Sequence, residues 1–175
     1  MEETTLILLA AGSSRRFDLP VKKQWLYQGE EPLWVRVLRS FEALGFSRIV
    51  VTADPGELEF MRHFTGHTVV AGGASRQASL SNALEAVETP WVLVSDIARC
   101  CIDEAMVRRI LEHRGEAECI VPALPAVDTV YQEERPIDRE TIRLIQTPQL
   151  SRTATLRRAL GRTESSPTKA APSTP

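Results

Sequence analysis

Three short apolar runs constrain this chain more than any other feature: TTLILLA at Thr4–Ala10, RIVVTA at Arg48–Ala53 and WVLV at Trp91–Val94. None alternates polar with apolar residues, which is how a strand buried on both faces reads. Such strands belong to parallel sheets, whose neighbours need a crossover of roughly a dozen or more residues, usually a helix. The intervening segments supply it. Trp34, Val37, Leu38, Phe41 and Leu44 recur at helical spacing, with Gly45 as a stop. Asp54-Pro55-Gly56 is a turn that can start a helix reaching about Phe64. Thr68–Ala71 is a third strand, closed by Gly72-Gly73, after which Ser75 can cap a helix carrying Leu80, Leu84 and Val87 on one face. Asp103 can cap another with Met106, Val107, Ile110 and Leu111 inward, and Cys119–Pro122 is a further strand. The alternation predicts an α/β fold: a three-layer sandwich, Rossmann-like, with a mostly parallel sheet.

The 175 residues suit one domain. After Pro122 the rhythm breaks. Asp128–Glu134 and Thr141–Ile145 read as extended segments separated by Pro136-Ile137-Asp138, so residues 123 to 140 are expected to form a protruding β-arm. Ser151–Leu160 reads as a short helix that closes a domain spanning 1–161. Residues 162–175 (RTESSPTKAAPSTP) hold three prolines and no large apolar side chain, and are expected to be a disordered or truncated tail. Lys plus Arg is 21 against 23 for Asp plus Glu, a net charge of -2. That balance excludes a protein that coats nucleic acid, which needs excess cations, but leaves room for a small anionic ligand. No run approaches the ~20 apolar residues of a membrane-spanning helix. The start Met1-Glu2-Glu3 lacks the basic residues of a secretory signal, so a cytoplasmic location is expected. Cys100, Cys101 and Cys119 form no C-x-x-C pair and read as small hydrophobes buried near a core strand. His63 and His67 are four apart, but Gly66 and the strand after it end the helix before a metal pair can form.

In parallel sheets of this kind, ligands bind at the carboxyl ends of the strands near a switch in strand order. Three loops there carry chemistry. After the first strand come Ala10-Ala11-Gly12-Ser13-Ser14-Arg15-Arg16 and then Pro20-Val21-Lys22-Lys23-Gln24. Small residues let backbone N–H groups approach a phosphate and the cations supply charge, although this is neither a Walker A loop nor G-x-G-x-x-G. A solvated surface loop would read the same way. After the third strand, Gly72-Gly73-Ala74-Ser75-Arg76-Gln77-Ala78-Ser79 suits an anion or a nucleobase edge at a helix N-terminus, or equally a plain turn and cap. After the fourth, Asp96-Ile97-Ala98-Arg99 could meet a magnesium–phosphate complex, or be a structural Asp–Arg pair. Three such loops at one sheet edge favour a ligand site over three separate coincidences.

The segments LLAAGSSRRF, VKKQ, GGASRQAS, VSDIARC, VDTV, DR and QTPQ, in this order and spacing, resemble the sugar-phosphate cytidylyltransferases, most closely the 2-C-methyl-D-erythritol 4-phosphate cytidylyltransferase family. The resemblance covers about residues 4 to 161, and VKKQW, GGASRQ and VSDIAR look most like members fused to a cyclodiphosphate synthase. It implies a sheet of the nucleotidyltransferase type and a nucleotidyltransferase activity. In that activity CTP and methylerythritol phosphate give CDP-methylerythritol and pyrophosphate, with Mg²⁺, in non-mevalonate isoprenoid biosynthesis.

Residue by residue, the resemblance implies that Ala10, Ala11, Gly12 and Ser13 hold the ribose and phosphates of CTP. Arg16 and Lys23 would be catalytic, stabilising charge on the transferred phosphate. Gly73, Arg76 and Ser79 would recognise cytosine. Asp96 and Arg99 would lie near substrate and metal, with Asp96 the possible Mg²⁺ ligand. Thr129, Arg139 and Thr147 would hold the sugar-alcohol phosphate, Arg139 reaching from the partner's arm in a homodimer.

The chain departs from the pattern in places. Val21 and Lys22 separate Pro20 from Lys23, so Lys22 competes for the lysine's role; Ser95 stands where a histidine is common, and Cys100 where a proline is. The family's closing Asn-x-Lys segment has no counterpart, so the chain is expected to be truncated or divergent at its end. The alternatives are a ribitol-5-phosphate cytidylyltransferase, which shares nearly all these motifs, and a non-catalytic nucleotide-binding remnant.

Overall fold

The structure is a computed structural model and describes residues 1–14 and 20–164. Arg16 and the tail from residue 165 lie outside the described residues. The elements run β1 (Thr4–Leu9), β2 (Tyr27–Gln28), β3 (Glu31–Pro32), α1 (Leu33–Ala43), β4 (Ile49–Ala53), α2 (Leu58–Arg62), β5 (Thr68–Ala71), α3 (Arg76–Glu85), β6 (Trp91–Asp96), α4 (Glu104–Glu112), β7 (Cys119–Ile120), β8 (Ala123–Pro125), β9 (Val130–Gln132), β10 (Arg135–Ile137), β11 (Arg143–Ile145), β12 (Gln149–Arg152) and α5 (Thr153–Glu164).

The main sheet has the order β5-β4-β1-β6-β12-β7. The pairings of β5 with β4, β4 with β1 and β1 with β6 are parallel. Its parallel strands β1, β4 and β6 are mostly apolar because helices cover both faces. Leu6, Leu8, Val51 and Leu93 pack with Trp34, Val37 and Phe41 of α1 and Val107 and Ile110 of α4. Ile7, Val50, Val92 and Val94 pack with Leu80, Ala83 and Leu84 of α3 and Leu160 of α5. The mixed α/β architecture with a mostly parallel central sheet is the one expected from the apolar runs. The caps are also where the sequence put them: the Ser75 side chain accepts from the Ala78 N–H, and that of Asp103 from the Met106 N–H. Gly45, at φ +93°, closes α1 in a conformation that favours glycine.

Several local expectations are corrected. Ser151 and Arg152 are strand rather than helix, and α5 runs on to Glu164. The strand they complete, β12, inserts antiparallel between β6 and β7, held by Leu150, which is fully buried opposite Leu93 and Ile120. Of Pro136-Ile137-Asp138, read as a separator, the first two residues belong to strand β10, paired with β9. Residues 11 to 30, which read mainly as a long loop, include a 3₁₀ turn at Lys23–Trp25 and strand β2, which pairs with β3 in a small ladder. All three cysteines are exposed. Cys100 and Cys101 sit in the turn before α4, and Cys119 lies on a two-residue edge strand with no layer over it. Of the histidines, His63 follows the last residue of α2 and His67 pairs instead with Glu42 at 2.8 Å.

Strand order reverses beside β1. The chain passes from β1 outward to β4 and β5, then returns to lay β6 on the other side of β1. The loops after β1 and β6 therefore part from one another at the carboxyl edge and leave a crevice between them.

Candidate functional site

The crevice is walled by three loops tied to one another by continued ladder bonds. The Ala10 N–H donates to both the carbonyl and the hydroxyl of Thr52, each at 3.1 Å. The Gly72 N–H donates to the Ala53 carbonyl at 2.7 Å, and the Ile97 N–H to the Leu9 carbonyl at 3.1 Å. The loops are packed closely enough to require small residues. A Cβ on Gly72 would lie 2.2 Å from that of Ala11, and one on Gly73 would lie 2.5 Å from that of Ala78. Ser79 holds the 72–75 turn, accepting from the Gly73 N–H at 3.0 Å and donating to the Ser75 carbonyl at 2.9 Å.

The result is a cleft of about 510 Å³ lined by Leu9, Ala11, Gly12, Ser13, Thr52, Gly73, Ala74, Ser75, Arg76, Ser79 and Asp96. The ten-residue helix α3 opens at its rim, and its first turn directs backbone N–H groups there. Arg76 donates through Nη2 to Asp96 Oδ1 at 3.0 Å, linking the loops after β5 and β6. An Asp–Arg pair does exist, then, but Asp96 takes its arginine from α3 rather than from Arg99 three residues on.

Of the residues singled out in the sequence, Ala11, Gly12, Ser13, Gly73, Arg76, Ser79 and Asp96 line the cleft together. Ala10 lies buried beneath them. Arg99 is exposed on the turn after β6, its N–H donating to the Asp96 carbonyl. Thr147 is buried, and its hydroxyl has no hydrogen-bond partner among the described residues. Thr129 and Arg139 do not reach the cleft. Both are exposed on the arm, where Arg139 Nη1 donates to the Val127 carbonyl at 2.9 Å. Lys23 begins the 3₁₀ turn, and its N–H donates to Ser14 Oγ at 3.1 Å, so its backbone is clipped to the first loop. Arg16 lies outside the described residues.

The two adjacent lysines differ in their surroundings. Lys22 Nζ is held 3.0 Å from both Asp54 Oδ2 and Glu57 Oε1. Burial alone would lower the Lys22 pKa, but the hydrogen bonds and charges of Glu57 and Asp54 outweigh it and raise the pKa above its ordinary 10.5. The Gly56 N–H, followed by Lys22, holds the Asp54 carboxyl below its ordinary 3.8. The sign follows from linkage. The Asp54 contribution to stability is complete above 3.8 and is lost as pH falls through its lowered native value. That of Lys22 is complete below 10.5 and is lost as pH rises through its raised value. The melting-temperature difference between wild type and Lys22→Met is therefore expected to be flat between these limits and to shrink beyond each. A difference that does not shrink as Asp54 is protonated would contradict this.

Sequence reasoning missed three residues that shape the site. Thr52 is a lone polar residue at the end of an apolar strand and is fully buried. Gln24, only 2% exposed, donates through Nε2 to the Ala10 carbonyl at 3.1 Å. Glu57 pairs with Lys22. Only Thr52 left a usable signal, a polar side chain inside a run that should be wholly apolar.

The close approach of the loops makes a direct prediction. Gly72→Ala is expected to cost about 1–3 kcal/mol by overpacking, because Ala11 must move. Gly12→Ala, where a Cβ would meet nothing within 4 Å, is expected to leave the melting temperature nearly unchanged. Equal melting temperatures for the two variants would show that Ala11 does not crowd a side chain at position 72.

Comparison with known proteins agrees with this geometry. The family model for 2-C-methyl-D-erythritol 4-phosphate cytidylyltransferase, IspD, matches residues 4–173. The bifunctional enzyme IspD/IspF of Sulfurovum sp. (strain NBC37-1) is 59% identical over 161 residues, 91% of this chain and 43% of that protein. The bifunctional IspDF structure from Campylobacter jejuni superposes with a TM-score of 0.85 at 41% identity, over 90% of this chain and 43% of that one. The 2-C-methyl-D-erythritol 4-phosphate cytidylyltransferase of Thermus thermophilus superposes at 0.75 with 33% identity, over 95% of this chain and 79% of that one. This chain thus spans about two fifths of the length of the bifunctional relatives, on the cytidylyltransferase side of the fusion. With the match running through all three loops of the cleft and on to the far side of the sheet, the chain belongs to the 2-C-methyl-D-erythritol 4-phosphate cytidylyltransferase family.

Proposed function

We propose that this chain transfers CMP from CTP to 2-C-methyl-D-erythritol 4-phosphate, giving CDP-methylerythritol and pyrophosphate in isoprenoid precursor synthesis in the cytoplasm. The observation that carries the reading is the cleft at the strand-order switch, in which the three motif-bearing loops converge. Its small-residue walls suit a pyrimidine, and its backbone donors and α3 N-terminus suit a polyphosphate.

The reaction is an in-line displacement. A phosphate oxygen of the acceptor attacks the α-phosphorus of CTP, and the bond to the bridging oxygen of pyrophosphate breaks. No general base is needed, because the attacking phosphate is already ionised at neutral pH. The catalytic task is to position two polyanions and offset their charge. The Ala10–Ser13 loop holds the phosphates, Lys23 and Arg16 neutralise the reacting group, and Gly73, Arg76 and Ser79 border the base. Arg99, Thr129, Arg139 and Thr147 hold the acceptor. The buried Thr147 hydroxyl, unpartnered among the described residues, supports a polar ligand near it.

The site suits Mg²⁺. That ion keeps most of its waters and takes one or two carboxylates plus substrate phosphates, rather than a cage of protein ligands. Among the described residues no group of three or more metal-ligating side chains exists, while Asp96 presents one half-exposed carboxylate to the cleft. Asp96 would hold the ion, which would add positive charge beside the phosphates.

The reading includes a homodimer. The β9–β10 and β8–β11 pairs stand apart from the main sheet, and two-stranded ladders are marginal alone. They expose Leu124, Tyr131, Leu144 and Ile145, and the connection between β8 and β9 exposes Val127. A second copy exchanging arms about a two-fold axis would cover these side chains and the open strand edges. No described helix is long and apolar enough to cross a membrane.

Pyrophosphate release tests the function. CTP with methylerythritol phosphate is expected to be turned over well, ribitol 5-phosphate poorly, and ATP or GTP not at all. Preference for ribitol 5-phosphate would reassign the acceptor. Equal use of ATP would refute a cytidylyl site, and CTP binding without turnover would indicate a nucleotide-binding remnant.

A further inference from the structure

The first loop is held from beneath by the glutamine of VKKQ. Gln24 Nε2 lies 3.1 Å from the Ala10 carbonyl, 3.5 Å from the Gly12 carbonyl and 3.5 Å from Glu57 Oε2. All three neighbours are acceptors, so only the amide nitrogen can face them, and its two hydrogens are shared among them. The other oxygen of Glu57 accepts from Lys22 Nζ at 3.0 Å. A chain of contacts therefore runs from the Lys22 ammonium through Glu57 and Gln24 to the backbone of the candidate nucleotide loop. Trp25 anchors the same segment, with its ring 5.1 Å from that of Phe60 and 6.1 Å from that of Trp34.

We propose that Lys22, Glu57 and Gln24 are positioning residues, a brace that presets the Ala10–Gly12 backbone for the nucleotide, with Lys22 acting through Glu57 and not on a phosphate. The ligand in this statement rests on the reading of the cleft as a CTP site; the brace itself does not. The physical case is one of matching. The buried Ala10 carbonyl at the end of β1 needs a donor from inside the protein, and Gln24, itself only 2% exposed, stands where it can donate. A carboxamide supplies that donor without charge. Glu57 orients it through one carboxylate oxygen, and Lys22 holds Glu57 in place through the other.

The test is a double-mutant cycle on the full chain, read by CTP affinity and by amide hydrogen exchange at Gly12 and Ser13 without ligand. Lys22→Met and Glu57→Met are each expected to weaken CTP binding about tenfold, the worth of one charge-assisted contact. The double variant should also lose about tenfold, because both changes release the same amide. Lys22→Arg, which still reaches both carboxylates, should stay within about twofold of wild type. Exchange at Gly12 and Ser13 should quicken in the first three variants and not in the last.

A hundredfold loss in the double variant would mean that Lys22 acts independently and would overturn the proposal. So would a Lys22→Arg variant as weak as Lys22→Met, or single variants with unchanged affinity and exchange. Gln24→Glu carries the test from the other end, because it turns the shared donor into a fourth acceptor; silence there would also overturn the brace. If the wild type binds no CTP and the exchange responses still appear, the brace stands and the nucleotide assignment of the cleft fails.

Discussion

Lys23→Ala is expected to lower the rate of pyrophosphate release by on the order of 10²-fold, the usual loss when a charge partner of the transition state is removed. The effect should fall on kcat, with circular dichroism and melting temperature little changed, because Lys23 lies in a short surface turn and not in the core. The prediction separates two adjacent lysines by their surroundings. Lys22 is committed to Asp54 and Glu57. Lys23 has its backbone clipped to Ser14, and Gln24 beside it is bonded to Ala10, so the residue is anchored against the first loop. Lys22→Ala should therefore act mainly on KM, through the loop it braces. Steady-state kinetics on the two variants decide the matter. A Lys22→Ala enzyme without turnover beside a fully active Lys23→Ala enzyme would exchange their roles.

The second large effect concerns association. Arg139→Ala and Lys23→Ala chains are each expected to be nearly inactive, and mixing them is expected to restore activity. Arg139 is far out on the arm and its side chain donates to Val127 of the same arm, so in its own subunit it does not border the cleft. If it completes the partner's site, each hybrid dimer holds one site with both lesions and one intact. Random mixing of equal amounts then gives about a quarter of wild-type activity. The measurement is specific activity after co-expression, with hybrid formation checked by two different tags. Hybrids that form and stay inactive would mean that the arm serves its own subunit. A chain that remains monomeric would remove the dimer from the account.

The parallel core was legible because burial on both faces leaves an unmistakable mark, the unbroken apolar run. Thr4–Leu9, Ile49–Ala53 and Trp91–Asp96 are strands within a residue or two of where those runs lie. The caps at Ser75 and Asp103 were legible because capping is local chemistry between residues three apart. Strand β12 was not. Its four residues contain one apolar side chain, and it is a strand only because Leu93 and Ile120 flank the place where Leu150 fits. The cysteines misled for the reverse reason, since a composition rule for burial says nothing about which strand will be the edge.

The candidate site divides in the same way. Its small-residue loops could be read because Gly72, Gly73 and Ala11 stand where the backbone must approach closely. Gln24 and Glu57 could not, because their partners lie 14 and 33 residues away along the chain and leave no local pattern. The Arg76–Asp96 pair was half legible: both residues stood out in the sequence, but on loops after different strands, with nothing local to show that they meet.

The most direct test of the central claim is ³¹P NMR of the protein incubated with CTP, 2-C-methyl-D-erythritol 4-phosphate and Mg²⁺. The account predicts that the triphosphate and phosphomonoester resonances decay together. Two coupled resonances of a diphosphate diester should replace them, with pyrophosphate appearing in equal amount. Loss of CTP with free CMP or orthophosphate as the product, and the phosphomonoester untouched, would contradict it.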